Sequence, residues 1–282
     1  MSLQPWQFRK ALLLALSFAT LLELATFGVP RPPAQNSSGT ALPTAKDVVA
    51  RYDRALGGEA ALRRHTSSTM RGTMEIPSPT GTIRVPFVYY ASAPYLRFEK
   101  IALPNNQGDG LSGFDGEIAW NFDPRSAPEI LTGDERESAK RDADFYYQVD
   151  ELTWFKSMET VGIEQYEGRR CYHLHGINNW GKSNDHFYEV DTGLLAGYEF
   201  DSSWRGGPGL IHQVFSDYYQ VDGVLVPMKQ VAKVRSKTQS DWTVLQVLIY
   251  TSATFNDVDP AIFTPPKAVR DLAASGRPHH DS

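Results

Sequence analysis

"GFDGEIAWNFDP", residues 113–124, decides the fold. Asp115-Gly116 is a tight-turn signal, and Ile118, Trp120 and Phe122 follow at every second position. Alternation with period two is the mark of a half-buried strand leaving a hairpin turn. The stripe has two readings. It is either sheet core lying beneath a helix, or the wall of an apolar cavity; alternation alone does not separate them.

The same period runs outward in both directions. "TMRGTMEI" (69–76), "TIRVPFVYYA" (82–91) and "YLRFEKIAL" (95–103) read as successive strands, with "PSPTG" and "SAP" as the turns between them. In the second of these, Ile83, Val85, Phe87 and Tyr89 share a face. Downstream, 159–177 is a hairpin about Glu167-Gly168, 186–200 one about Asp191-Thr192-Gly193, and 212–231 one about Asp222-Gly223. Residues 241–255 form a last long strand. Aromatics make up 12% of the chain, and aromatic side chains favour strands.

Helical spacing appears in two places. In "TAKDVVARYDRALGG" (44–58), Val48, Val49, Tyr52 and Leu56 form one apolar stripe. Thr44 and Asp47 have the spacing of a capping box, and Gly57-Gly58 ends the helix. A short second helix follows in "EAALRRH". In 131–148, Thr132 and Glu135 again have capping-box spacing, and the pattern predicts a charged helix over about 133–146. The inventory is mainly β (α+β): a curved antiparallel, unclosed barrel of about ten strands, with two or three helices covering its concave side. It reads as a single domain over 44–266, and 267–282 as a disordered tail.

The N-terminus has its own logic. Arg9 and Lys10 precede an apolar run from Ala11 to Val29, which reads as a secretory signal or an N-terminal membrane anchor over 1–29. Glu23 inside the run disfavours a permanent span. Either way the remainder is placed outside the cytoplasm, in the periplasm. Residues 30–43, rich in Pro, Ser, Gly and Thr, read as a flexible linker.

Several function classes are excluded. A net charge of −5 with no basic face argues against nucleic acid. The single cysteine, Cys171, permits neither an internal disulfide nor a thiolate cage. Cys171, His173 and His175 share one strand face, with Asp185 or His186 as a conceivable fourth ligand, but same-face strand neighbours are too far apart to converge on one ion. No metal and no cofactor is expected. No Gly-x-Ser-x-Gly, phosphate loop or nucleophile beside a base is present, and Asp115, Asp191 and Asp222 are explained by their turns. The chain therefore reads as non-enzymatic. An enzyme would require His173, His175, Asp185 and His186 to meet in one pocket. With no polar site evident, the aromatic excess points to a cavity for an apolar ligand, with Phe87, Tyr89, Phe98, Trp120 and Phe122 as candidate lining.

Six segments in order resemble the LolA-like superfamily, and within it the outer membrane lipoprotein-sorting proteins. They are "ARYDRALGGEAALRR", "ASAPYLRFE", "GFDGEIAWNFDP", "TGDERESAKRDADFY", the pair "YEVDTGLLAGYEF" and "DYYQVDGVLVPMK", and "FNDVDPAIFTPP". The resemblance covers about 44–266. It implies a half-barrel with a helical lid, a cavity that receives lipid or lipoprotein acyl chains, and a partner protein in the inner or outer membrane. The same scaffold also implies two alternatives: an envelope sensor or scaffold that binds another protein, or a small enzyme.

Overall fold

The computed structural model describes residues 41–204, 207–236 and 240–275. Residues 1–29, expected to be an export segment, and residues 30–40 of the expected linker lie outside these, as do 276–282. Among the described residues no helix is long and apolar enough to cross a membrane.

Thirteen strands form one antiparallel sheet. The first meander comprises β1 (Ser67–Ser78), β2 (Gly81–Ser92), β3 (Leu96–Ala102), β4 (Asp109–Phe114), β5 (Ala119–Phe122) and β6 (Glu129–Leu131). The second comprises β7 (Phe155–Tyr166), β8 (Arg169–Asn178), β9 (Ser183–Glu189), β10 (Leu195–Trp204), β11 (Gly207–Val221), β12 (Val224–Ser236) and β13 (Thr243–Phe255). Within each meander every strand pairs with its neighbours in sequence, and β1 pairs with β13, so β6 and β7 are left as the two edges. The barrel is unclosed, as expected. A sheet this wide accumulates twist and curls, which gives it a concave face.

The expected count of about ten strands was low because β4 and β6 escaped it. The strand "DGLSGF" is half Gly and Ser with no aromatic alternation, and β6 has three residues. The three later hairpins turn where expected. Glu167-Gly168 and Asp222-Gly223 both have positive φ at both positions, as a two-residue hairpin tip requires.

Helix α1 (Ala45–Leu56) carries the expected capping box: Thr44 Oγ1 accepts from the Asp47 N–H at 3.2 Å, and Asp47 Oδ2 accepts from the Thr44 N–H at 3.2 Å. Its buried face is Val48, Val49, Tyr52 and Leu56, as the spacing implied. These pack on Leu174, Tyr188 and Leu195 of the sheet. Helix α2 (Glu59–Arg63) follows.

The second helical region differs from expectation. Helix α3 (Gly133–Asp142) ends four residues early, and Thr132 forms no side-chain cap. The chain leaves the helix because tertiary bonds claim the next residues: the Phe145 N–H donates to Pro94 O at 3.1 Å, and Asp144 accepts from the Tyr146 N–H at 3.0 Å and Trp154 Nε1 at 2.7 Å. Helix α4 (Tyr147–Asp150) and a 3-10 turn (Glu151–Trp154) complete the link to β7. This segment connects one sheet edge to the other. Ala139 and Ala143 rest on Phe114, Ala119 and Leu131, which lie on the same face of the sheet as Arg97 and Tyr89.

The expected tail also differs. Lys267–Ala274 is a helix, α5, with Val269 fully buried. With the 3-10 turn Pro260–Phe263 it covers Phe98 and Trp120 on the other side of the sheet.

The join between the meanders is tight. The β1–β13 register shifts between Arg71 and Gly72, and a Cβ on Gly72 would lie 2.2 Å from Ile249 O and 2.9 Å from the Phe87 ring. Neither neighbour can move without breaking the pairing. We expect Gly72→Ala to cost about 3 kcal/mol of stability, read as a lowered denaturation midpoint.

Candidate functional site

Between the concave face and its helical cover lies a cavity of about 370 Å³, partly open to solvent. This is within the range of small-molecule sites. Leu56 and Leu62 contribute from the helices, and Met70, Leu195, Phe215 and Leu248 from the strands. Arg141, Asp142 and residues 144–149 of the edge-to-edge segment also line it. Tyr89 lies in its wall and donates from its hydroxyl to Asp142 O at 3.3 Å, linking wall to cover. Burial pushes the Tyr89 phenol up to about 12, so it stays a neutral donor.

The floor is polar. Glu99, Gln213, Gln230, Gln246 and Tyr250 line the cavity, and Glu99 is 4% exposed. Burial pushes the Glu99 carboxyl up to about 7, against the pull of Arg97, whose nearest nitrogen is 3.9 Å away. Arg97 also donates from Nη2 to Ser112 Oγ at 2.9 Å. Arg141 pairs with Asp142 at 2.9 Å and lies over the Trp180 ring at 5.4 Å. No short motif marks these residues. Their signal was parity: in "QVLIY", Gln246, Leu248 and Tyr250 share one face, so a Gln stands where an inward apolar residue belongs.

The cover is pinned to the sheet by a buried acid. Glu151, 1% exposed, accepts from the Tyr188 hydroxyl at 2.7 and 2.6 Å and lies 2.7 Å from His186 Nδ1. Asp53 of α1 lies nearby, with Oδ1 buried and without a hydrogen bond among the described residues. Burial first, then the charge of Glu151, pushes the Asp53 carboxyl up to about 7.

Of the five candidate lining residues, the structure brings one into the cavity wall, Tyr89. Phe87 shares its face but lies within the layer of Met74, Val85 and Ile101, edge-on to Tyr250 at 5.1 Å. Phe98, Trp120 and Phe122 are on the opposite face, packed with Phe263 and Val269. The Ile118–Trp120–Phe122 stripe is thus core beneath a helix. Gly113 makes room for it, since a Cβ there would lie 2.8 Å from the Trp120 ring. Asp115 Oδ1 closes the preceding turn, accepting from the N–H groups of Glu117 at 2.9 Å and Ile118 at 2.7 Å.

His173, His175, Asp185 and His186 do not meet in a pocket. His173 lies between Glu164 at 3.0 Å and Asp185 at 2.7 Å on the outer face, and His175 is 2.9 Å from the same Asp185 oxygen. His186 is on the inner face with Glu151. Among the described residues no group of three or more His, Cys, Asp or Glu could hold a metal ion. Cys171 is fully buried and its thiol is pushed up to about 11 by burial, so it is not a thiolate.

Two outcomes follow from this placement. Trp120→Ala is expected to cost about 3–5 kcal/mol while leaving ligand affinity at the cavity unchanged, measured by denaturation and by binding to the surviving fold. For Asp53 the sign is set by its raised folded-state pKa. The unfolded chain loses this proton near the ordinary 3.8 and the folded chain near 7, so stability falls as pH rises between them. Asp53→Asn should gain about 1 kcal/mol at pH 8, allowing for solvent screening, and nothing near pH 3. Equal gains at both pH values would contradict this.

No known family model matches this chain, and no curated protein matches it. Solved structures do share its fold. A DUF1329 family protein from Desulfovibrio piger is 14% identical, with 78% of this chain and 96% of that one covered, at a TM-score of 0.54. A LolA superfamily protein from Nitrosomonas europaea is 16% identical over 79% and 99%, also at 0.54. A domain described as outer membrane lipoprotein-sorting, from Vibrio parahaemolyticus, is 11% identical over 78% and 94%, at 0.51. At these identities the likeness is one of fold, and the chain has the LolA-like fold: an unclosed antiparallel half-barrel with helices across its concave face.

Proposed function

We propose that this chain is an exported, non-enzymatic protein of the cell envelope that binds the acyl chain of a lipid or lipoprotein in its half-barrel cavity. The observation that carries the reading is the cavity itself, walled by Leu56, Leu62, Met70, Leu195, Phe215 and Leu248 within a LolA-like half-barrel. An extended apolar chain is held by contact area and loosely enough to be released, which suits a carrier. The fold shared with an outer membrane lipoprotein-sorting domain supports the same ligand class. Residues 1–29 would direct the chain to the periplasm or tether it at the inner membrane, and a membrane protein would deliver or accept the cargo.

Tyr89 is a wall residue in this reading, and Phe87 supports the wall from behind. Phe98, Trp120 and Phe122 keep the sheet rigid from outside. A protein-docking role ranks second. Among the described residues the large exposed apolar side chains are Leu42, Val161, Tyr219 and Ile249, and the last three stand on strands β7, β11 and β13, none of which are neighbours. Apolar surface is gathered in the cavity and not in an outer patch.

The test is native mass spectrometry of the protein purified from an envelope fraction, with lipid analysis of whatever dissociates. An acyl lipid or acylated peptide at near-unit occupancy is expected. Ala253→Trp, which places an indole in the cavity wall, should lower that occupancy about tenfold, the equivalent of 1.4 kcal/mol. Absence of bound lipid, together with failure of added lipids to bind, would sink the reading.

A further inference from the structure

The cavity floor carries hydrogen-bonding groups that the folded chain leaves unanswered. Gln213 is 4% exposed, and its Oε1 has no partner among the described residues. Its Nε2 reaches only Gln230 Oε1, at 3.5 Å. Gln230 Nε2 donates in turn to the Tyr250 hydroxyl at 3.1 Å. Gln246 is 7% exposed and line-of-sight to the same space, and none of the hydrogen bonds among the described residues involves its side chain. Buried amides are normally satisfied, because an unpaired one forfeits its hydration for nothing. The unpaired Gln213 oxygen, with the Gln246 amide on the same cavity wall, marks a place where an incoming group supplies the missing bonds.

The row also restricts what that group is. An amide chain of this kind runs equally well in either direction. As drawn, Gln213 presents an acceptor. With both amides turned, the Tyr250 hydroxyl donates to Gln230, Gln230 donates to Gln213, and Gln213 presents a donor. A hydroxyl answers both states, since it donates and accepts. A carboxylate or an ester carbonyl answers only the second. The two arginines at the cavity already have partners of their own: Arg141 has Asp142 at 2.9 Å, and Arg97 has Ser112 Oγ at 2.9 Å and Glu99 at 3.9 Å.

We propose that the cavity selects an amphiphile with an uncharged, hydroxyl-bearing head, of the acylglycerol type, docked on Gln213 and Gln246 with its chain against the apolar wall. This rests on the acyl-binding reading and goes past it by naming the head. The amides are then retained for recognition, at a cost to the stability of the empty protein.

The experiment is displacement of a fluorescent fatty-acyl probe from the full-length protein by monolauroylglycerol, laurate or methyl laurate, each below its micellar concentration. Monolauroylglycerol should displace at about a tenfold lower concentration than methyl laurate, as expected for one well-made hydrogen-bonding site. Gln213→Leu and Gln246→Leu should each narrow that gap and leave methyl laurate unchanged. Neither substitution should lower the thermal midpoint much: Gln213→Leu removes a buried oxygen without a partner at the loss of one 3.5 Å contact, and the Gln246 side chain makes no hydrogen bond among the described residues. The two lie on different strands, so failure of one variant to fold leaves the other to decide. Laurate as the strongest displacer, equal displacement by all three, or a gap that persists in the folded variants would overturn the proposal and leave acyl binding intact. A probe that does not bind at all would overturn both.

Discussion

The pairing of β1 with β13 is the constraint on which the rest depends. Each meander is built from local hairpins, but this one ladder joins residues far apart in sequence, from Ser68 opposite Phe255 to Glu75 opposite Val247. Without it there would be two small sheets and no common concave face. The end of the ladder is clasped by side chains as well as backbone. The Thr66 N–H donates to Asn256 Oδ1 at 2.8 Å, Thr69 Oγ1 donates to Asp257 Oδ1 at 3.1 Å, and the His65 ring stacks on Phe255 at 4.1 Å. Loop closure of this length is costly in entropy, and these contacts with the apolar layer of Met74, Phe87, Leu248 and Tyr250 offset it.

Once the meanders are joined, the sheet has two free edges on opposite sides, and the chain between them has to cross a face. It crosses the concave one. That single connection supplies α3, α4 and the turn bearing Glu151, and so both covers the cavity and contributes to its wall. Glu151 holds the crossing to His186 and Tyr188 in a site closed to water, where hydrogen bonds to a charge are strong and their loss is costly. The outer face is handled differently. There the C-terminal turn and α5 seal Phe98 and Trp120, and stacked rings such as Tyr166 on Phe187 at 4.2 Å fill the strand surface further along.

Much of this was legible in local pattern. The alternation of Ile83, Val85, Phe87 and Tyr89, the hairpin tips at Glu167-Gly168 and Asp222-Gly223, and the capping box of Thr44 and Asp47 are all near-neighbour physics, and each formed as the spacing implied. What failed locally failed for an identifiable reason. Thr132 and Glu135 have the right spacing for a capping box, yet Thr132 makes no side-chain cap, and Glu135 is half-buried, where burial and then the charge of Glu129 push its carboxyl up to about 7. Strand β4 was hidden because its Gly113 is there to admit Trp120 from the next strand, a requirement that belongs to the pair and not to the segment.

Local pattern was enough for most of the strands, the hairpin turns, the first helix and the overall class, because strand period, turn chemistry and helix caps act over a few residues. Which side of the sheet became the inside was decided only by tertiary structure. Alternation shows that Trp120 and Tyr89 each face one side of a strand, but it carries no information on whether those sides are the same. Register settles that: Tyr89 stands opposite Glu99 and Phe98 opposite Gly113, whose other neighbour is Trp120. Those pairings put Tyr89 on the cavity side and Trp120 on the outer side. They also gather Glu99, Gln213, Gln230, Gln246 and Tyr250 from four separate strands into one floor, an assembly with no signature in any single stretch of chain.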